Sequence, residues 1–302
     1  MFSKNQALLT EAEIKQLISA SSSSITTGQA NQKIISQTAR IGEQLSSTIG
    51  SGSDFAEVRA YHAGDDPRYI DWRATARSRL PLLRTYHSEL NQVLYLLIDR
   101  SSSMRFATRV RLKVTQAVRM ALWIAGQEAR AGREIATLLL DNPISWLAPQ
   151  QGMLAVKLIA KLANKACPPI KQQHRANWKS ILSGLEQQIS KGSEVILLSD
   201  FYGLSDADNK ILAVLGNQYK TTAIHIFDPC EIDPNFVAAV QLQSGNKQSY
   251  FSVTNKNRLE QLKNKLQIRA EEIYNRFRKA NISYRQVSVE EHELSSSWAK
   301  IL

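Results

Sequence analysis

Val93-Leu94-Tyr95-Leu96-Leu97-Ile98-Asp99-Arg100-Ser101-Ser102-Ser103-Met104 decides the fold of this 302-residue chain. An unbroken apolar run stops at a carboxylate and a cluster of hydroxyls. So short a run, without polar alternation, reads as a strand buried on both faces of a parallel sheet. Ligands of open α/β sheets collect just outside the carboxyl ends of such strands. Here that place holds Asp99, Ser101 and Ser103, spaced so that three hard oxygens face one point. Hard oxygens suit Mg²⁺ or Mn²⁺ better than Zn²⁺. The same residue types also favour helix N-termini, so capping of a helix starting near Arg105 is the structural alternative.

A second run, Val195-Ile196-Leu197-Leu198-Ser199-Asp200, repeats the pattern of apolar strand and terminal carboxylate. Together the two resemble the metal-ion-dependent adhesion site of von Willebrand factor A domains. Asp99, Ser101 and Ser103 match its first motif, and Asp200 its later strand-end aspartate. The resemblance implies bound Mg²⁺ with one coordination position open to a partner's carboxylate. The chain departs from that pattern at the usual threonine, which is expected before Trp178. Gln173-His174-Arg175-Ala176-Asn177 stands there instead, with Asn177 or Ser180 as substitute oxygen donors and Arg175 as a charge that repels a cation.

Composition bounds the rest. A hydrophobic fraction of 43% fills a sizeable core, and no window approaches the ~18 uninterrupted apolar residues of a membrane span. Peripheral membrane association stays open. The N-terminus lacks a secretion signal, and Cys167 and Cys230 form neither a zinc pattern nor a disulfide framework. A reducing cytoplasm is the expected compartment. The formal charge of +11 invites nucleic acid, anionic lipid or an acidic protein. The basic residues are scattered, however, without the aromatic interleaving of a base-stacking surface.

Taken in order, Leu8 to Ile18 has helical spacing, with Thr10 and Glu13 placed as a capping box. Residues 19–53 are rich in Ser, Thr, Gln and Gly and read as an arm, with a weak helix around Ile34 to Leu45. Gly64-Asp65-Asp66-Pro67 is a turn, and Asp71 caps a short helix running to Arg77. Leu82 to His87 alternates as an edge strand does. Helices and buried strands then alternate to the C-terminus: strands over Ile135–Asp141, Thr221–Phe227 and Ile282–Val287, a hairpin partner over Ile144–Leu147, and a last helix over Glu290–Leu302. A small antiparallel pair crosses Gly245-Asn246, and Asn255–Ala280 is a long basic amphipathic helix. Such alternation predicts a doubly wound, mostly parallel α/β sheet with a smaller N-terminal module. The expected division is 1–52 (helix and arm), 53–90 (module) and 91–302 (sheet domain).

The block Arg59-x-Tyr61-x-x-Gly64-Asp65-Asp66-Pro67-Arg68-x-Ile70-Asp71-Trp72-x-Ala74-x-Ala76-Arg77, followed by a strand ending D-x-S-x-S-M, resembles the bacterial domain-of-unknown-function family fifty-eight. Asp228-Pro229-Cys230-Glu231 resembles a turn of the same family. Members carry a von Willebrand factor A-like domain and are commonly encoded beside MoxR-type AAA+ ATPases. The resemblance therefore implies a protein-binding adaptor acting with such an ATPase on a client protein. Within the block, Tyr61 and Trp72 are expected to pack against the sheet domain. Arg59, Arg68, Arg73 and Arg77 are expected to pair with Asp65, Asp66 and Asp71, unless the block is a docking face.

Nothing points to catalysis. There is no nucleophile elbow, Walker motif or dinucleotide fingerprint, and His225, inside an apolar strand, reads as a satisfied core residue. Two other classes remain as alternatives. A metal-dependent hydrolase would use the same carboxylates and place a His or Lys base beside them. A nucleic-acid-binding module would show a continuous basic face and a steep loss of affinity with salt.

Overall fold

Every residue of Leu94–Asp99 is buried, as an apolar run without alternation requires of a strand covered on both faces. The computed structural model describes residues 8–23, 49–62, 66–78, 80–87, 93–105, 107–108, 110–141, 143–167, 178–186, 188–190, 192–234, 240–244, 247–251, 256–292 and 298. In chain order the elements begin with α1 (Glu11–Ser23), β1 (Ile49–Ala60), α2 (Trp72–Thr75), β2 (Leu82–His87), β3 (Leu94–Asp99) and α3 (Lys113–Arg130). Next come β4 (Glu134–Leu140), β5 (Ser145–Gln151), α4 (Gly152–Ala163), α5 (Trp178–Glu186), β6 (Glu194–Ser199) and α6 (Asn209–Gln218). The last are β7 (Lys220–Phe227), β8 (Val240–Ser244), β9 (Lys247–Phe251), α7 (Lys256–Lys279) and β10 (Ser283–Ser288). The chain divides into two compact units, Gln32–Asn91 and the remainder.

The larger unit is a mixed α/β fold around a six-stranded sheet in the order β10-β7-β6-β3-β4-β5. Strands pair parallel throughout except β4 with β5. Alternate residues of β3 serve opposite cores. Leu94, Leu96 and Ile98 join residues of α1, α3 and α4, and Tyr95 and Leu97 join residues of α5, α6 and α7. Beyond β3 the chain passes through α3 to β4 on one side, whereas β6 lies on the other. Strand order therefore reverses between β3 and β6, and their carboxyl ends flank the switch point of the sheet.

The loop leaving β3 is fixed by Arg100, which is 1% exposed. Its guanidinium donates to the carbonyls of Ala163 (2.9 Å) and Lys165 (2.8 Å) and lies 3.2 Å from Asp141. These are carbonyls that the end of α4 leaves without helical partners, so one buried cation ties two loops together. Helix α1 docks beside α3, where Arg130 donates to the Ile18 carbonyl (2.6 Å) and to the Ser21 hydroxyl. The Thr10–Glu13 capping box is formed, with Thr10 N–H on Glu13 Oε2 at 2.8 Å.

The smaller unit is an antiparallel pair of β1 and β2 joined through short helical turns. The arm read over 19–53 gives way to a strand at Ile49, hidden in the sequence by Gly, Ser and Asp. Its regularity comes from pairing with β2, with register shifts between Gly50, Phe55 and Glu57. Asp71 caps α2 by accepting from the N–H groups of Arg73 (3.0 Å) and Ala74 (3.1 Å). Asp66 pairs with Arg68 at 3.0 Å on the surface. Gly64, Asp65, the Arg59 side chain, the helix expected over 34–45 and most of the helix expected after Glu290 lie outside the described residues.

Helix α6 meets the turn before β10 at Gly216, where an added Cβ would stand 1.9 Å from the Ala280 carbonyl oxygen. Gly216→Ala is expected to lower stability by about 1–3 kcal/mol, read as a shift of the urea midpoint. An unchanged midpoint would contradict this close approach.

Candidate functional site

The strand-end carboxylates Asp99 and Asp200 sit side by side because β3 and β6 pair with Ile98 opposite Leu198. Both side chains are buried, at 2% and 5% exposure. Asp99 accepts from the Ser101 N–H at 2.8 Å and from the Ser199 hydroxyl at 2.5 Å. The helix expected near Arg105 is a single short turn over Ser102–Arg105, and the long helix starts only at Lys113. Asp99 therefore folds its own loop rather than capping that helix.

A string of hydroxyls links the two acids. Ser101 Oγ lies 3.2 Å from Ser103 Oγ, and Ser103 donates to Asp200 Oδ1 at 3.1 Å. Asp200 Oδ1 also accepts from the Tyr202 N–H at 3.0 Å. Phe201 between them adopts φ 53°, a left-handed conformation that costs a bulky residue about 1–2 kcal/mol. Its ring is held among Trp178, Phe277 and His225. The strained turn aims Asp200 across the rim. All four oxygen-bearing side chains named from the sequence, Asp99, Ser101, Ser103 and Asp200, thus meet in one hydrogen-bonded string.

A lysine that the sequence reading passed over completes the cluster. Lys113, 2% exposed, donates to Asp200 Oδ2 at 2.8 Å and to Glu231 Oε1 at 2.6 Å. Glu231 is held independently, since its Oε2 accepts the Asp228 N–H at 2.9 Å. Asp228 in turn accepts from the Thr108 N–H (2.8 Å) and the Cys230 N–H (3.0 Å). The available signal was positional. Lys113 stands in the first turn of α3, where the helix dipole disfavours a cation, so its burial demands carboxylates nearby.

Electrostatics separates the acids. Burial, reinforced by the neighbouring Asp200 charge, pushes Asp99 up to about 6. Burial also pushes Asp200 upward, but the Lys113 ammonium outweighs it and holds that carboxyl below its ordinary value. Burial works against the Lys113 ammonium too, and Asp200 and Glu231 together more than offset it, raising its pKa. Glu231 is raised, chiefly by burial. Two carboxylates, Asp200 and Glu231, thus share one ammonium, and Asp99 meets only neutral donors among the described residues.

Other expectations meet mixed outcomes. His225 is buried as a core residue, its Nδ1 2.5 Å from the Tyr284 hydroxyl. Trp72 is 70% exposed, on a single-turn helix capped by Asp71. Tyr61 is half-buried. Arg73 and Arg77 are exposed. His174, Arg175 and Asn177 lie outside the described residues, and Ser180 is exposed. Among the described residues, no three His, Cys, Asp or Glu side chains form a metal-ligating group. Hydroxyls make up half of the rim's donor set. No described helix is long and apolar enough to cross a membrane.

Comparison with known proteins adds a family. A model described as "Protein of unknown function DUF58" matches residues 57–272, a span containing Asp99, Lys113, Asp200 and Glu231. Uncharacterized protein Mb1516 of Mycobacterium bovis and Uncharacterized protein Rv1480 of Mycobacterium tuberculosis are each 25% identical over 207 residues. Those alignments cover 67% of this chain and 63% of each relative, so the chain spans under two thirds of their length. Among solved structures, the conserved hypothetical protein BatB of Bacteroides thetaiotaomicron aligns with a TM-score of 0.45 at 9% identity, over 69% of this chain and 94% of that one. An aerotolerance-related membrane protein of Bacteroides fragilis aligns with a TM-score of 0.46 at 8% identity, over 70% and 96%.

Behind the rim, burial pushes His225 down to about 4 from an ordinary 6.5. Its neutral form therefore contributes stability that is full above about pH 6.5 and lost as pH falls through about 4. Wild type should lose about 2–3 kcal/mol more than His225→Phe between pH 7 and pH 4, measured by urea unfolding. Parallel losses in the two proteins would contradict the burial of a neutral imidazole.

Proposed function

We propose that this chain, which belongs to the family described as Protein of unknown function DUF58, is a protein-binding adaptor with a von Willebrand factor A-like domain, working with a MoxR-type AAA+ ATPase in the assembly or maturation of a client protein or complex. The observation that carries the binding reading is the convergence of Asp99, Ser101, Ser103 and Asp200 at the sheet's switch point. The ATPase and client rest on the resemblance of the Arg59–Arg77 block and the D-x-S-x-S strand end to that family, an associational support.

The rim residues fit Mg²⁺ or Mn²⁺. Their donors are all hard oxygens, and Asp99 carries a buried charge that neutral donors stabilise, the Ser101 N–H and the Ser199 hydroxyl among them. Asp99, Ser101, Ser103 and Asp200 would hold the ion. When bound, it would supply an open coordination position for a carboxylate from the partner. The chain's own part is to hold these oxygens in place, through the Ser199 hydroxyl, the Tyr202 N–H and the Arg100 anchor beneath the loop.

A hydrolase needs a base at this rim. Among the described residues the lysine bonded to Asp200 is Lys113, and two carboxylates hold it as ammonium, unable to accept a proton. Adaptor activity over a cation is the better-supported reading.

Immobilised wild-type protein should retain the host's MoxR-type ATPase in Mg²⁺ and release it in chelator, with nucleotide absent. Asp99→Ala should lower retention at least tenfold while keeping the wild-type circular dichroism spectrum. Equal retention by Asp99→Ala, or retention indifferent to chelator, would remove the metal-dependent grip.

A further inference from the structure

The rim contains its own rival for a bound cation. We propose that Lys113 competes with the metal for Asp200, occupying Asp200 Oδ2 in the metal-free protein and retreating to Glu231 when a divalent ion binds. This rests on the adhesion-type reading above and adds what sets the site's affinity.

The geometry provides one ammonium with two seats. Lys113 Nζ lies 2.8 Å from Asp200 Oδ2 and 2.6 Å from Glu231 Oε1, so a small rotation of the lysine side chain moves it from both carboxylates onto one. Neither seat depends on the lysine for its position. Asp200 Oδ1 is fixed by the Ser103 hydroxyl and the Tyr202 N–H, so freeing Oδ2 leaves the carboxylate in place. Glu231 is fixed by the Asp228 N–H at the turn after β7. Glu231 is also the more exposed partner, at 31% of its side chain against 4% for Asp200. A lysine retreating toward it moves toward water, which lowers the cost of giving up Asp200. Two cations cannot share one carboxylate oxygen without strong repulsion at this depth. Metal affinity is therefore the difference between gripping Asp200 and displacing Lys113 from it, and Glu231 sets the second part.

The test is calorimetric titration of the full chain with MgCl₂, using wild type, Lys113→Met, Glu231→Gln and the double variant. Removing the rival should tighten Mg²⁺ binding at least tenfold. Removing the second seat should weaken it at least threefold, because the ammonium then stays on Asp200. In the double variant Glu231→Gln should have no comparable effect, since no lysine remains to be parked. Equal weakening by Glu231→Gln in both backgrounds would mean simple charge attraction and would overturn the proposal, as would Mg²⁺ affinity unchanged in Lys113→Met. If Lys113→Met alone fails to fold, the double variant, whose buried charge is smaller, carries the comparison, and unchanged affinity in Glu231→Gln overturns the proposal by itself. Absence of Mg²⁺ binding in all four proteins would bring down the adhesion reading itself, and the rivalry with it. Binding in wild type with no response to either substitution removes the rivalry alone.

Discussion

Negative charge that water does not reach governs this fold's working end. Of two parallel strands, β3 finishes in Asp99 and β6 is followed at once by Asp200, and both carboxylates are buried where strand order reverses between them. Taking carboxylates out of water is costly unless cations or donors replace the lost hydration. The surrounding sequence is arranged to meet that cost. Ser101, Ser103, Ser199 and the Tyr202 N–H provide donors, Phe201 accepts a left-handed backbone to turn Asp200 inward, and Lys113 brings one positive charge. The charge left over is concentrated on Asp99, which is why burial raises its pKa instead of an ion pair lowering it.

Much of this was legible in residue order because parallel sheets write themselves plainly. A strand covered on both faces must be apolar at every position, so Leu94–Ile98 and Val195–Leu198 stood out, and their terminal aspartates marked the rim. Local chemistry was equally readable at Thr10 with Glu13 and at Asp71, where a side chain three or fewer residues away answers the backbone. Long-range electrostatics was not. Lys113 looked like one more surface cation, and nothing near it in sequence announces Asp200 or Glu231 as partners. Arg100 was equally silent, since the carbonyls it caps belong to the end of α4. Strand β1 was missed because its Gly- and Ser-rich start has little intrinsic preference and takes its form from β2.

The Arg59–Arg77 block marks the other limit of sequence reasoning. Its charges were read as a pairing network and its aromatics as packing. Asp66 pairs locally with Arg68, Asp71 is committed to a helix cap, and Trp72 remains on the surface. Turn and cap positions follow from residue type, whereas the side that an exposed ring faces follows from what surrounds it. The smaller unit carries an exposed indole at Trp72 and two exposed guanidiniums, Arg73 and Arg77, beside its Asp71 cap.

The divalent-cation site proposed at the buried acids between β3 and β6 is open to direct observation. Anomalous diffraction from crystals soaked in Mn²⁺ tests it most directly. A peak bonded to the Ser101 and Ser103 hydroxyls is expected, with Lys113 withdrawn from Asp200 toward Glu231. A map without a peak at the rim, with the lysine still bridging both carboxylates at saturating Mn²⁺, would contradict it.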